Sequence, residues 1–248
     1  MYIYEDDLCV EPSAGNGSFI EEIKAFECAS LFYDLEPEHP EIVKQDYLAL
    51  DTTSWKQMYY KIHVIGNPPF GRQSCLAIQF IKKTLQYADS VSFILPRSFK
   101  KPSLQRHFPS NFHLLCEYDV PAHSFVVENN THDVPCVFQI WVKKDVPRAM
   151  PVKYIPRFFA FVKKHEPHDI SFRRVGVYAG TIDRDTGSKS TETHYFIKFG
   201  VPLTDGLVNE LGAIEYAGKD HTVGPRSIGK QEVIQGFNPV LESHGATT

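Results

Sequence analysis

The stretch Val64–Gly71 (VIGNPPFG) decides the fold of this chain. Residues 62–65 form a largely apolar run that predicts a buried strand, and the glycine, asparagine and two prolines that follow end it. Because proline fixes φ and has no N–H to donate, the last carbonyls of this strand stay free. The corner therefore offers an amide (Asn67), a free carbonyl (Pro68) and an aromatic face (Phe70). A planar ring that carries an amino group fits such a corner, and an ordinary proline-rich turn is the alternative.

Strands and helices alternate ahead of this corner. Asp7–Glu11 predicts a short buried strand, and the glycine turn Pro12–Phe19 (PSAGNGSF) leads from it into a helical segment. Ala29–Tyr33 predicts a second strand, which ends in Asp34, 17 positions after Gly17. An acidic residue at this place meets a ribose in two-strand nucleotide sites, and a turn or helix cap is the alternative. The alternation predicts a parallel sheet with ligands at the carboxyl ends of its strands.

One helix and three more strands are predicted after the corner. Cys75–Ala88 has apolar residues at helical spacing, and Val91–Leu95 predicts another buried strand. Phe112–Tyr118 and Val134–Val142 predict two strands with no helix between them. Such a pair indicates an antiparallel hairpin at the edge of the sheet.

The prolines near residues 143–148 mark the most natural domain boundary. We predict an α/β domain over residues 1–148 and a small β-rich region over residues 149–248. Residues 1–150 carry 14 Lys and Arg against 19 Asp and Glu, whereas the remainder carries 12 against 11. A protein that binds polyanions usually has a basic bias, so this balance disfavours tight nonspecific binding to DNA.

Composition excludes several other classes of protein. The five cysteines are odd in number and widely spaced, which predicts neither a disulfide framework nor a zinc site, and we expect no metal. No apolar run approaches the ~20 residues of a membrane helix. The acidic N-terminus lacks the features of a secretory signal. These observations favour a cytoplasmic protein, neither secreted nor bound to a membrane.

The order of Glu11, the glycine turn, Asp34, Asp46 and Asn67–Phe70 resembles the class I S-adenosylmethionine-dependent amino-methyltransferases, specifically the N6-adenine branch. The resemblance covers roughly residues 7–145. It implies a Rossmann-like sheet of seven strands, mostly parallel, with a late antiparallel hairpin. Family members usually have a helix before the first strand that covers the cofactor. Only about six residues precede that strand here, so we expect that another segment does this work or that a helix is missing.

The resemblance implies S-adenosylmethionine as the cofactor and a set of residues that hold it. Asp34 would accept hydrogen bonds from the ribose hydroxyls, with Leu35 against the adenine ring. Asp46 would bind the adenine amino group, with Tyr47 beside it. Asn67 would border the cofactor as well. The methionine part would lie on residues of the glycine turn: Glu11, Pro12, Ala14, Gly15 and Gly17.

The same resemblance implies that the catalytic residues are Asn67, Pro68, Pro69 and Phe70. Asn67 and the Pro68 carbonyl would accept from the target amino group while Phe70 stacks on the target ring. Phe125, in the late hairpin, is the candidate for a second aromatic that sandwiches the base. The amino lone pair of adenine is delocalised, and two acceptors on its hydrogens favour a pyramidal nitrogen aimed at the sulfonium methyl. No strong general base is required.

Several substrates are compatible with this resemblance. The leading prediction is an adenine-specific DNA methyltransferase, followed by an RNA enzyme of the rRNA type and then a protein glutamine N5-methyltransferase. A non-catalytic scaffold is least favoured, because a dead site need not keep its acidic residues and Asn67. We expect a nucleic-acid partner on Arg173 and Arg174 in the second, substrate-recognition region, and a solvated β face is the alternative there. The sequence does not determine the oligomeric state.

Overall fold

The computed structural model describes residues 2–127 and 130–245. The chain divides between Met150 and Pro151 into two compact units, each with its own hydrophobic core. No helix in the described part of the chain is long and apolar enough to cross a membrane.

The first unit is built from short strands and helices in alternation. Its helices are α1 (Ile20–Lys24), α2 (Trp55–Met58), α3 (Cys75–Thr84) and α4 (Pro102–Gln105). Its strands are β1 (Leu8–Glu11), β2 (Ala29–Asp34), β3 (Val43–Lys44), β4 (Ile62–Gly66), β5 (Ser90–Pro96), β6 (Phe112–Asp119), β7 (Phe125–Val127), β8 (Asn130–His132) and β9 (Cys136–Lys143).

Seven of these strands form one sheet in the order β3-β2-β1-β4-β5-β9-β6. All neighbours are parallel except β9, which runs antiparallel to both β5 and β6. The prediction of a Rossmann-like, mostly parallel sheet with an antiparallel edge is confirmed. The strand order reverses at β1, which pairs with β2 on one side and β4 on the other. Ligands of open α/β sheets bind in the crevice at such a point, outside the carboxyl ends of the strands.

The central strands are buried on both faces, as parallel strands are when helices cover the sheet. All four residues of β1 are buried, and β5 is buried at six of its seven positions. Their apolar runs are therefore continuous instead of alternating. The ring of Trp141 in β9 stacks on that of Phe108, with centroids 4.1 Å apart.

Several elements differ from the sequence predictions. The helix α3 ends at Thr84, before the predicted Ala88, and the chain leaves it through turns whose N–H groups still bond to Ile81 and Thr84. Between β6 and β9, where the sequence predicted no helix or strand, the chain forms a small antiparallel hairpin, β7–β8. Its strands are three residues each, too short to give a clear alternation in sequence.

A buried polar cluster joins three parallel strands at their amino ends. His63 in β4 lies 3.1 Å from the carboxylate of Asp7 through Nε2 and 2.7 Å from the hydroxyl of Ser90 through Nδ1. All three side chains are at most 2% exposed. Burial lowers the pKa of His63 below its ordinary value of 6.5, against the raising effect of Asp7. The fold therefore stabilises the neutral imidazole, which donates to Asp7 and accepts from Ser90.

This cluster makes folding stability depend on pH. A lowered histidine pKa means that the unfolded chain binds the proton first, so the contribution is complete above pH 6.5 and is lost as pH falls below it. His63→Gln should remove that part of the pH dependence, whereas the exposed His165→Gln should keep it. Urea denaturation at about pH 7.5 and about pH 5.5 measures both. Equal losses of stability in wild type and His63→Gln would contradict this assignment.

The second unit is a four-stranded antiparallel sheet with two helices. The strands are β10 (Phe159–Val162), β11 (Ile170–Arg173), β12 (Ile182–Asp183) and β13 (His194–Phe199), in the order β10-β13-β11-β12. The helices are α5 (Asp205–Gly212) and α6 (Lys230–Gly245). The small β-rich region expected here is present as this sheet.

The helix α6 is not among the sequence predictions. Gly236 and Pro239 lie inside it, and both residues weaken an isolated helix. Its buried face overrides that weakness, because Phe237 is 0% exposed and its ring lies 5.5 to 6.3 Å from those of Phe159, Phe172 and Phe199. Tertiary packing therefore holds the helix that local propensity disfavours.

Candidate active site

The glycine turn after β1 and the corner after β4 meet at the carboxyl ends of two paired strands. The hydroxyl of Ser13 donates to the carbonyl of Asn67 at 3.1 Å. A Cβ on Gly66 would lie 3.3 Å from both Cγ of Glu11 and Cδ of Pro12. Glycine at this position therefore lets the two strand ends approach each other closely. Ser13 was not among the predicted site residues, although it lies inside the turn that the sequence singled out.

The glycine turn needs two of its glycines for their backbone. Gly15 and Gly17 have φ values of 52° and 83°, in the left-handed region that other residues avoid. A Cβ on Gly17 would also lie 2.7 Å from Cδ1 of Ile20. Ala14 is 5% exposed and its N–H donates to the carbonyl of Tyr33 at 2.9 Å. These contacts hold the turn against the ends of β1 and β2.

Asp34 anchors the glycine turn to the end of β2. Its Oδ2 accepts from the N–H of Gly15 at 2.7 Å, and its Oδ1 accepts from the N–H of Glu36 at 2.9 Å. An ionised carboxylate offers about four acceptor positions, so capacity remains for ligand hydroxyls. Asp34 thus has the turn-capping role that was the alternative from sequence, and it can still bind a ligand.

Two buried oxygen atoms at this edge have no hydrogen-bond donor in the described part of the chain. They are Oε2 of Glu11 and Oδ1 of Asn67. Buried polar atoms are nearly always partnered, and an unsatisfied one costs about 1–3 kcal/mol. A ligand that donates N–H groups to both atoms would remove this cost. These two acceptors make the edge a candidate for binding a ligand that donates hydrogen bonds.

The charge state of Glu11 narrows the kind of ligand further. Burial, and after it the charge of Asp34, raises the pKa of Glu11 from 4.5 to about 8. With no cation beside it, the carboxyl of Glu11 is therefore mostly neutral near pH 7. A cationic group beside Glu11 would stabilise the carboxylate and displace its proton. This end of the site is suited to a positively charged N–H donor.

The corner itself is held rigidly to the following helix. The carbonyl of Phe70 accepts from the N–H groups of Leu76 and Ala77 at 3.2 and 3.3 Å, and its half-buried ring packs on the core. Pro68 is buried and Pro69 is exposed. Among the described residues, no hydrogen bond to the Pro68 carbonyl is found. That carbonyl is thus available beside the unsatisfied Oδ1 of Asn67.

Strained backbone follows the corner directly. Gly71, Gln73 and Ser74 have φ values of 67°, 52° and 62°. Gly71 tolerates this conformation, and a Cβ there would lie 2.9 Å from Sγ of Cys75. For Gln73 and Ser74 the conformation is unfavourable, since a non-glycine residue held in this region of φ and ψ loses about 1–3 kcal/mol of stability. Strain of this kind is concentrated at functional sites, which favours a site over an ordinary proline-rich turn.

The residues expected around the adenine ring differ in exposure: Leu35 and Asp46 are exposed, whereas Tyr47 is buried. Leu35 is 62% exposed just beyond β2, so its side chain is available to a planar ligand. Asp46 is also exposed, and its Oδ1 accepts from the N–H of Leu48 at 2.9 Å. Tyr47 is 2% exposed, and its hydroxyl bonds to that of Thr84 at 2.7 Å. The structure places Tyr47 in the core, which corrects the expectation that it packs beside a ligand.

Several solved structures are similar to this chain at low sequence identity. A Pyrococcus horikoshii protein provisionally described as an RNA methyltransferase aligns with 16% identity and a TM-score of 0.41, over 57% of this chain and 76% of its own. The 23S rRNA methyltransferase ErmE aligns with 14% identity and a TM-score of 0.41, over 58% and 64%. The Streptococcus mutans methyltransferase-like protein SMU.1697c, solved with SAH, aligns with 12% identity and a TM-score of 0.36, over 58% and 90%.

No protein-family model matches the chain, and no curated protein matches it in sequence. At this degree of similarity, the assignment of a function rests on the residues of this chain. In the part of the chain that the structure describes, no three His, Cys, Asp or Glu side chains are grouped as metal ligands would be.

The predicted nucleic-acid contacts lie in two parts of the chain. The hairpin that carries Phe125 joins the end of β6 to the start of β9, where β9 pairs with the carboxyl end of β5. Phe125 is half-buried in β7 of the small hairpin. Arg173 and Arg174 belong to the second unit, where Arg173 donates from Nε to the carbonyl of Val175 at 3.2 Å. Arg174 donates from Nε and Nη2 to the carbonyl of Glu192 at 3.1 and 2.8 Å. Both guanidinium groups are thus held in place, and their contact with nucleic acid stays a prediction.

Proposed function

We propose that this chain is an S-adenosylmethionine-dependent methyltransferase that acts on the exocyclic N6 amino group of adenine in a nucleic acid. The observation that carries the proposal is the pair of unsatisfied acceptors, Oε2 of Glu11 and Oδ1 of Asn67, at adjacent strand ends. One suits a cationic donor and the other a neutral amino group. Together they match a methionine ammonium and an adenine amino group, the two donors that this reaction brings to one crevice.

The residues at the switch point fit the proposed cofactor. Glu11 would hold the ammonium group, and Asp34 would accept from the ribose hydroxyls while it anchors the turn. Leu35 would cover the adenine ring, and Asp46 would accept from its amino group. When bound, S-adenosylmethionine supplies an electrophilic methyl group on a sulfonium. The chain contributes binding and orientation, which are the main needs of a transfer between two aligned groups.

The corner would orient the target nitrogen. Oδ1 of Asn67 and the Pro68 carbonyl accept its two hydrogens, which draws the lone pair out of conjugation with the ring. Phe70, fixed through its own carbonyl to the start of α3, stacks on the target base. Positive charge that develops on the nitrogen is stabilised by two acceptors already in place. After transfer, the methylated nitrogen carries a surplus proton that can pass to water. The reaction therefore needs no general base, and the Asn67 amide is sufficient as an acceptor.

The polymer that presents the adenine is a separate part of the proposal. DNA is the leading substrate from the sequence resemblance, and RNA of the rRNA type is the second. In a duplex the target base must leave the stack, which costs a few kcal/mol. Stacking of that base on Phe70 would offset part of this cost. A single strand presents its bases without that cost.

Transfer of a tritiated methyl group from S-adenosylmethionine tests the proposed function. The acceptors are duplex DNA, single-stranded DNA, RNA and a protein pool, each digested to nucleosides or amino acids after reaction. We expect label in N6-methyladenine from at least one nucleic acid. Label in glutamine alone would mean that the target is a protein amide and not adenine. No label in any pool would refute the proposal.

Glu11 should make cofactor binding depend on pH. Because the pKa of Glu11 is about 8 without a cation beside it, binding of an ammonium group should release the proton of Glu11, and affinity should rise with pH up to about 8. In Glu11→Gln this rise should vanish. The ratio of wild-type to variant affinity, measured calorimetrically with S-adenosylhomocysteine, isolates Glu11 from the titration of the ligand. Heats in two buffers of different ionisation enthalpy count the proton released, and none released near pH 7 would contradict this role.

A further inference from the structure

A cleft of about 380 Å³ opens at one end of the sheet of the second unit. It lies where β10 runs into Lys163 and Lys164, beside the start of β13 and the first residue of α6. Three chain segments that are far apart in sequence therefore supply its walls.

The lining of this cleft has charge of one sign. Lys163, Lys164 and Lys230 line it together with His165 and His194, and no lining residue is acidic. Among the described residues, no carboxylate pairs with the ammonium groups of Lys163 or Lys230. Lys164 donates to the carbonyls of Gly187 and Lys189 at 3.0 and 2.7 Å, which fixes it without neutralising it. The cleft of about 450 Å³ in the first unit differs, since Asp89 and Asp145 offset its lysines.

Aromatic rings form the floor between these cations. Phe161 and Tyr195 are half-buried and meet edge to face, with centroids 5.3 Å apart. The ammonium of Lys230 lies 4.8 Å from the centroid of Phe161 and 5.7 Å from that of Tyr195. Arg174 lies over Tyr195 at 5.3 Å. Lys230 therefore covers a ring that becomes available when its flexible side chain turns to another partner.

The charge decides which class of ligand the rings can take. Aromatic rings around an ammonium group are also the arrangement that recognises cationic ligands. Here, Lys230 already occupies that position, and two further lysines would repel a second cation. An anionic ligand is attracted instead, and one with planar groups could stack on the ring of Phe161 once the side chain of Lys230 has turned away. Phosphates joined to bases have both properties, and basic grooves with aromatic platforms are the usual site for unpaired strands.

We propose that this cleft binds a single strand of nucleic acid, with Lys163, Lys164 and Lys230 on its phosphates and Phe161 against a base. Unpaired bases are required, because a base inside a duplex cannot reach a ring in a cleft. The inference deepens the proposed function by naming the form of its substrate, and it rests on that function for the methylation of the bound strand. It also assigns the main contact with nucleic acid to the side chains that line the cleft instead of to Arg173.

Fluorescence anisotropy of the full chain without cofactor tests the inference. The probes are labelled oligomers of about 12 nucleotides, namely single-stranded RNA, single-stranded DNA and a duplex, within the range that such grooves cover. Lys163→Glu/Lys230→Glu should weaken binding of single strands at least roughly tenfold and reduce the slope of log affinity against log salt by about 1.4. Phe161→Leu, which keeps apolar volume against the core, should weaken binding roughly tenfold without changing that slope.

Lys153→Glu/Lys219→Glu is the matched control, with the same change of charge in the same unit outside the cleft. Losses as large in the control as in the cleft variant would overturn the inference, as would tighter binding of the duplex or no binding of any probe. The tighter of the two single strands identifies the polymer. Because binding is measured without cofactor, a failure of methyl transfer with binding intact would remove the proposed function and leave this inference standing.

Discussion

Asn67→Ala is expected to lower the rate of methyl transfer by roughly 10²–10³-fold, the cost of removing one preorganised acceptor from a developing charge. Affinity for S-adenosylmethionine should stay within about twofold, since the loss concerns the transition state and not ground-state binding. Folding stability should not fall, because Oδ1 of Asn67 is buried without a donor and its removal relieves that cost. Single-turnover methylation, cofactor titration and urea denaturation measure the three quantities.

The matched control for this variant is Asn209→Ala, which removes an exposed amide on α5 in the second unit. It should transfer methyl groups at the wild-type rate. Methylation by Asn67→Ala at a rate near that of the control would mean that the corner does not hold the target nitrogen. A large loss of folding stability in Asn67→Ala would instead mean that the Asn67 amide has a structural role in the folded chain.

Asp34→Ala is expected to weaken the cofactor roughly 100-fold, because two hydrogen bonds from ribose hydroxyls to a carboxylate contribute about 3 kcal/mol or more. The variant also frees the N–H of Gly15, which Oδ2 of Asp34 holds at 2.7 Å, so the turn should become less ordered. Asp34→Asn should lose less, since its amide oxygen can still accept from Gly15. Calorimetric titration gives the affinities, and kcat at saturating cofactor should change less than affinity does.

Asp51→Ala serves as the control for Asp34→Ala. The carboxylate of Asp51 also caps a turn in the first unit, where it accepts from the N–H of Thr53 at 3.0 Å, and Asp51 has no proposed role in cofactor binding. Its removal should leave the affinity for cofactor unchanged. Similar affinities in the Asp34→Ala and Asp51→Ala variants would reduce Asp34 to a turn cap and remove it from the binding site.

Much of the first unit could be predicted because its signals are local. Largely apolar runs predict β1, β4 and β5, because a strand that is buried on both faces has apolar residues at most of its positions. The glycines of the turn and the prolines of the corner act through their own φ angles, so their effect needs no partner elsewhere. For the same reason, the order of Glu11, Asp34 and Asn67 along strand ends was sufficient to place them at one edge of the sheet.

Other features depend on contacts between distant segments. Tyr47 follows Asp46 directly, yet its ring lies in the core because Thr84 and Phe80 meet it there. The helix α6 contains a proline and a glycine, and only the aromatic side chains packed around Phe237 hold it. Such outcomes follow from packing, which overrides local propensity whenever the buried surface is large enough.

The sequence by itself determined the strands of the mostly parallel sheet and the groups at the ends of β1, β2 and β4, because each arises from backbone rules or burial within one short stretch. The strand order, with its reversal at β1, depends on the pairing of distant strands. Only the tertiary structure decided the state of the acceptors at these strand ends. Burial raises the pKa of Glu11 to about 8 and leaves Oδ1 of Asn67 without a donor. It also decided where Lys163 and Lys230 meet Phe161, because a cleft made by separate segments exists only once the chain has folded.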